Sequence, residues 1–204
     1  MKNAFIFDYD GVLIDSLDIF MKYFIESCKI HEFKDVYDKK SFLELFSGNM
    51  YENMFKKGLK KEEILKIVNY VKNHLIKDQD KIPLFENIDK ILKTLSKDNL
   101  LFVVTSNDTL VVKKYFNSKN IDLFEEIIGS DKEPNKTKKL NYIKEKYPNH
   151  KYYFFGDTVG DILEGHKAEV NSVAVLWGWH DKKDLEKAKP DLILKKPNDI
   201  LKMF

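Results

Sequence analysis

The chain contains no arginine, so all 35 of its basic residues are lysine. Any anion it binds must be met by ammonium groups, backbone amides or a metal ion, not by a planar guanidinium fork. Biased codon usage is a sufficient explanation for the gap, and it is not read as function. Cysteine is nearly absent as well. The lone Cys28 excludes an internal disulfide and suits a reducing compartment. Its neighbours Phe24, Ile25 and Ile30 mark a packed thiol. Long apolar runs are missing: no stretch reaches the roughly 7–15 residues of a signal peptide or the ~20 of a membrane helix. The protein is expected to be soluble and cytoplasmic, with no membrane partner. A surplus of one charge sign is missing too. The formal net charge of +2 excludes the strong field of a nucleic-acid-binding surface.

What is present is enough to bury a core: 204 residues, 43% hydrophobic and 33% charged. Short apolar runs at Ala4–Phe7, Leu100–Val104, Tyr152–Phe155 and Ser172–Leu176 predict buried strands. Ile127-Ile128 and Leu192–Leu194 are weaker candidates. Helical patterns separate them at Asn87–Ser96, Thr109–Asn117, Thr137–Lys146, Val159–Lys167 and Lys183–Lys189. This alternation predicts an α/β fold, a Rossmann-like parallel sheet with helices on both faces. Residues 16–82 break it. They carry amphipathic helical patterns at Leu17–Lys29, Ser41–Phe46, Asn49–Lys57 and Lys61–Lys77, and no convincing strand. The expected organisation is a discontinuous core of 1–15 and 83–204 with an inserted α-helical cap domain of 16–82.

The most informative feature is Asp8-Tyr9-Asp10-Gly11, where the first strand runs out into a glycine turn. Two carboxylates one residue apart at the open end of a sheet repel each other unless a cation or a reaction uses them. Tyr9 between them points the other way by strand alternation. The segment is not a calcium loop: Val12, Leu13 and Ile19 stand at its fifth, sixth and twelfth positions. A second cluster, Gly156-Asp157-Thr158-Val159-Gly160-Asp161, follows the strand Tyr152–Phe155. Asp157 and Asp161 can face one point there; helix capping by Asp157 is the bland alternative. Four carboxylates call for a hard, oxygen-seeking ion such as Mg²⁺, and no Cys/His cluster suggests zinc. Thr105-Ser106-Asn107 after a third strand offers hydroxyl and amide partners for phosphate oxygens. Lys132-Glu133-Pro134-Asn135-Lys136 precedes the next helix, and a lysine at that helix start could reach an anion, although alone it reads as a surface residue. The five histidines are scattered, and Trp177 and Trp179 are expected to pack in the core or a lid.

In chain order these motifs resemble the haloacid dehalogenase-like hydrolase superfamily, over nearly the whole chain. Val175-Leu176-Trp177-Gly178-Trp179 and Pro190-Asp191-Leu192-Ile193 are similar to its phosphoglycolate phosphatase-like branch, which carries a helical cap after the first motif. The resemblance implies an Mg²⁺-dependent phosphomonoester hydrolase acting on a small phosphorylated metabolite. Asp8 would be the nucleophile, forming an aspartyl phosphate, and Asp10 the general acid and base. Thr105 would hold phosphoryl oxygens, and the lysine, Lys136 in preference to the alternative Lys132, would neutralise charge; Ser106, Asn107 and cap residues within Leu17–Lys77 would set substrate specificity. Asp8, Asp10 (through its main-chain carbonyl), Asp157 and Asp161 would hold the ion. Asp10 argues against a dehalogenase. A β-phosphoglucomutase-like phosphomutase is an alternative, although Phe20 stands where such relatives carry a histidine. A non-catalytic phosphate-binding protein is the other.

Overall fold

The computed structural model describes residues 2–203. Six strands form one sheet: β1 (Asn3–Phe7), β2 (Leu100–Val104), β3 (Glu126–Ile128), β4 (Lys151–Gly156), β5 (Asn171–Val175) and β6 (Leu192–Leu194). Every pairing is parallel, in the spatial order β3-β2-β1-β4-β5-β6. The two weaker candidates are therefore the edge strands, where short length limits the exposed ladder.

The helices are α1 (Leu17–Ile30), α2 (Lys39–Glu44), α3 (Met50–Lys56), α4 (Lys61–Asp78), α5 (Ile88–Leu95), α6 (Thr109–Ser118), α7 (Lys136–Lys146), α8 (Val159–Lys167) and α9 (Lys182–Lys187). Strand alternation splits the core between two faces. Phe5, Phe7, Leu101, Val103, Tyr153 and Phe155 pack with Ile91 and Leu92 of α5 and Val112 and Tyr115 of α6. Ala4, Ile6, Phe102, Val104 and Phe154 pack with Leu140 and Ile143 of α7. Ala174 of β5 meets Ile162 of α8 and Leu185 of α9. Both faces are covered, which is why these strands read as continuous apolar runs.

Side-chain caps moved some helix starts from their expected places. Helix α2 begins at Lys39, ahead of the expected Ser41, because Asp38 Oδ1 accepts the Ser41 N–H (2.8 Å). Helix α9 begins after Asp181, which accepts the Asp184 N–H (2.9 Å). It ends before Lys189, whose φ of +56° is incompatible with continuing it.

Helices α1 to α4 lie between β1 and β2 in the chain, as the broken alternation predicted. Their apolar faces meet one another, with Phe24 and Cys28 of α1 and Ile64, Ile67 and Val71 of α4 all buried. The chain leaves the sheet and returns at one place. Ile14 bridges Leu84, and the Asp15 N–H donates to the Pro83 carbonyl (3.0 Å). No helix among the described residues is long and apolar enough to cross a membrane.

Candidate active site

The strand order puts a topological switch between β1 and β4. From β1 the chain winds through β2 to β3, then returns to the other side of β1. Loops leaving β1 and β4 therefore run in opposite directions and open a crevice at their carboxyl ends. Asp8 leaves β1 into that crevice, and Asp157 leaves β4. They are neighbours because the Asp8 N–H still donates to the Phe155 carbonyl (2.9 Å).

Asp8, Asp157 and Asp161 each bring a carboxylate oxygen within 4.8 Å of the other two. All three are buried. Lys136, the first residue of α7, reaches the same group. Its Nζ donates to Asp8 Oδ2 (2.7 Å) and to Asp161 Oδ1 (2.5 Å). The oxygens left over are unequal. Asp8 Oδ1 accepts the Tyr9 N–H (2.7 Å). Asp161 Oδ2 accepts the backbone N–H (3.1 Å) and the hydroxyl (2.7 Å) of Thr158. Asp157 Oδ2 accepts the Trp179 N–H (2.7 Å), but Asp157 Oδ1 is buried without a partner among the described residues.

Burial sets the electrostatics. It pushes Asp8 up to about 7, against the pull of Lys136. It raises Asp157 well above the usual carboxylate range, and the neighbouring Asp161 and Asp8 charges add to the effect. For Lys136 burial works the other way, but Asp161 and Asp8 outweigh it and hold the ammonium charged beyond its ordinary range.

Asp10 stands apart from the three-carboxylate group. Its Oδ2 accepts from the Asn107 amide (3.0 Å), and burial lifts its carboxyl to about 6. The Asn107 N–H donates to Thr105 Oγ1 (3.0 Å), so the turn after β2 holds both Thr105 and Asp10. Tyr9 turns into the core and packs edge-on against Tyr115 and Phe116. Gly11 at φ +78° allows the sharp turn, and a Cβ there would fall 2.0 Å from Asp157 Oδ2. Asp8, Asp10, Thr105, Ser106 and Lys136 line one cleft, closed by Phe20 and Phe46 of the helical insertion and by Trp179.

Lys132 is not part of this cleft. Its Nζ lies 3.4 Å from the Ile127 carbonyl, at the edge of the sheet. The capping alternative for Asp157 is corrected. Thr158 caps α8, in a reciprocal capping box with Asp161.

Several residues around the site carried no sequence signal. Glu164, one turn beyond Asp161, accepts both the Lys136 backbone N–H and the Asn49 side-chain amide (3.0 Å each), which ties α7 and α8 to the insertion. His180 accepts the Val159 N–H at Nδ1 (3.1 Å), and its Nε2 faces the Leu43 carbonyl (3.1 Å). Lys72 of α4 pairs with Asp108, the N-cap of α6 (2.7 Å). Lys139 is buried one turn after Lys136 and donates to the Thr105 carbonyl (2.5 Å). The i+3 spacings of Glu164 from Asp161 and of Lys139 from Lys136 are the only hints that could have singled them out.

The family model described as haloacid dehalogenase-like hydrolase matches residues 5–175. A phosphoglycolate phosphatase of Synechococcus elongatus is 24% identical over 204 residues, covering 98% of this chain and 95% of its own. Pyrophosphatase PpaX of Bacillus mycoides is 24% identical over 207 residues, with the same two coverages. The crystal structure of a predicted phosphatase from Clostridium acetobutylicum superposes with a TM-score of 0.84 at 20% identity. It covers 100% of this chain and 98% of that one, and shows the shared fold.

Proposed function

The chain belongs to the haloacid dehalogenase-like hydrolase family, and from that premise we propose that it is a cytoplasmic, Mg²⁺-dependent phosphomonoester hydrolase of small phosphorylated metabolites. One observation carries the reading. One cleft is lined by Asp8, Asp10 and the ion-paired Lys136; Asp8 belongs to a buried cluster with Asp157 and Asp161, and Asp10 is held separately by an amide. That separation supports two different jobs for Asp8 and Asp10.

Asp8 attacks phosphorus through a carboxylate oxygen, and the bond to the leaving oxygen breaks. Asp10 gives that oxygen its proton, leaving an aspartyl phosphate on Asp8. Asp10 then takes a proton from water as the water attacks phosphorus, which frees phosphate and restores Asp8. A carboxyl lifted to about 6 is suited to both transfers near neutral pH. Thr105 Oγ1 already accepts the Asn107 N–H, so its own proton is free for a phosphoryl oxygen. Lys136 stands in place to neutralise charge on the transferring group, held charged by its carboxylate partners.

The donor set fits a hard dication. Three carboxylate oxygens converge, and Asp157 Oδ1 is buried with nothing to satisfy it. Mg²⁺ held by Asp8, Asp157, Asp161 and the Asp10 main-chain carbonyl would supply positive charge against the phosphoryl oxygens. Asp157, with its spare oxygen, would hold it more directly than Asp161, whose oxygens are spent on Lys136 and Thr158. Residues 16–82 would act as the cap that restricts the leaving group to something small, a phosphoglycolate-like ester included.

A panel of phosphorylated metabolites, assayed with Mg²⁺ and then with chelator, tests the reading. Free phosphate should appear only with the metal, and Asp8→Asn should lose at least about a thousandfold in kcat while its circular dichroism shows the fold retained. Substantial turnover by Asp8→Asn would overturn the mechanism, and an isomerised sugar phosphate without free phosphate would replace hydrolase with mutase.

A further inference from the structure

The two tryptophans lie two residues apart after β5, and their indole N–H groups have different fates. Trp177 Nε1 donates to the Val12 carbonyl (3.1 Å). Trp179 Nε1 is buried with no acceptor among the described residues. Trp179 is only 7% exposed, so its N–H has given up solvent without a replacement. A buried, unsatisfied donor opposes folding, and such a group calls for an explanation.

The setting supplies one. One part of the indole packs against the insertion, with ring centroids 5.0 Å from Phe46 and 5.4 Å from Phe20 and Phe42. Its pyrrole edge faces the Asp10–Gly11 turn: a Cβ on Gly11 would come within 2.7 Å of Trp179 Cδ1. Its backbone N–H holds Asp157. The side chain thus lines the cleft beside Asp8, Asp10, Thr105 and Lys136. Among the other donors there, Lys136 is committed to Asp8 and Asp161, and the Thr158 hydroxyl to Asp161.

We propose that Trp179 is a substrate-binding residue whose indole N–H donates to an oxygen of the phosphoryl group. The proposal rests on the phosphatase reading and deepens it, because it concerns the transferring group and not the leaving group. A neutral donor aimed at a charged oxygen in a water-poor cleft makes one of the stronger hydrogen bonds.

Trp177→Phe leaves Trp179 as the sole indole, and its emission should shift when inorganic phosphate or orthovanadate is added with Mg²⁺. Trp179→Phe should weaken both ligands about tenfold, as loss of a hydrogen bond to a charged group does. If that variant folds poorly, benzothienylalanine at 179 in the Trp177→Phe background decides: it keeps the ring shape and replaces N–H by sulfur. It should show the same tenfold loss. Phosphate and vanadate affinities equal to those of the tryptophan protein would overturn the proposal, as would an emission that ignores both anions. The two readings fail separately. A wild-type protein that hydrolyses no phosphomonoester sinks the phosphatase, whereas indifference of anion binding at position 179 in an active enzyme sinks only this role.

Discussion

Lys139 is a buried ammonium-bearing side chain with no carboxylate within ion-pair reach among the described residues. Its one hydrogen bond goes to the Thr105 carbonyl. Burial, with the Lys136 charge adding to it, pushes its pKa down to about 7. A folded-state value below the unfolded one means that the unfolded chain binds more protons between about pH 7 and 10.5. Stability should therefore climb as pH rises through that window. Lys139→Met keeps the stem and removes the titrating group. At pH 7 it should stabilise the protein by about 2 kcal/mol, roughly 4–8 °C in Tm, with the lost carbonyl partner offsetting part of the gain. The advantage should shrink toward pH 10. Thermal melts of the two proteins at pH 7, 8.5 and 10 check this; a gap that stays constant or widens with pH would refute it. Lys139 was invisible in the sequence because one lysine among 35 has no distinguishing neighbour pattern. Only helix phase, with Lys136 and Lys139 three apart on α7, turns both inward.

At the scale of elements, α8 does two things at once. Its first turn is closed by the Thr158–Asp161 box, and the same Asp161 carboxylate anchors Lys136. A cap that is also a site residue explains why helix start and site coincide. That first turn also abuts the insertion. A Cβ on Gly160 would lie 2.5 Å from the Gly48 carbonyl oxygen and 2.9 Å from that of Phe46. Gly160→Ala gains helix propensity of about 1 kcal/mol but forces the segment around Phe46 away from α8. Its Tm should change by no more than a few degrees while KM rises several-fold, because Phe46 lines the cleft. Steady-state kinetics beside a melt would show it, and an unaltered KM would mean that the insertion does not seat on α8 during turnover. The element pattern itself was legible. All six strands and the main helices appear at or within a residue or two of their expected places, since buried parallel strands and amphipathic helices write their periods locally. The 3-10 turns Leu45–Ser47, Gln79–Lys81 and Pro197–Lys202 were not foreseen.

For the whole molecule, burying several carboxylates together opposes folding unless something neutralises them. Asp8 near 7, Asp10 near 6 and the raised Asp157 all sit above the ordinary 3.8. Their folded-state pKa values exceed the unfolded ones, so the stability they contribute is full below about pH 4 and is lost as pH rises through 6 to 7. A cation bound only by the folded state reverses that loss by mass action. Added Mg²⁺ should raise Tm clearly at pH 8 and scarcely at pH 5. Asp157→Asn should raise the Tm of the metal-free protein and abolish the Mg²⁺ response. Melts with Mg²⁺ and with chelator at both pH values test this; an equal response at pH 5 and 8 would refute it. The cleft is also tight, with a cavity of about 20 Å³, room for about one water. Entry of a phosphate ester therefore needs movement between the helical insertion and the sheet. Polar contacts between the two include the Asn49–Glu164, Leu43–His180 and Lys72–Asp108 pairs.

Local grammar was enough to establish the α/β alternation, the interruption after β1, and the two short acidic motifs at strand ends. Each is written within a dozen residues, where period and spacing carry the information. Tertiary structure turned the preferred Lys136, and not Lys132, to face Asp8, gave Asp161 to Lys136 and left Asp157 an unspent oxygen. It likewise satisfied the indole N–H of Trp177 and left that of Trp179 buried without an acceptor among the described residues. Those outcomes depend on how helices from distant parts of the chain rotate and dock over the sheet. A side chain's partner across 128 positions, as between Asp8 and Lys136, follows from that docking and from no nearby residue.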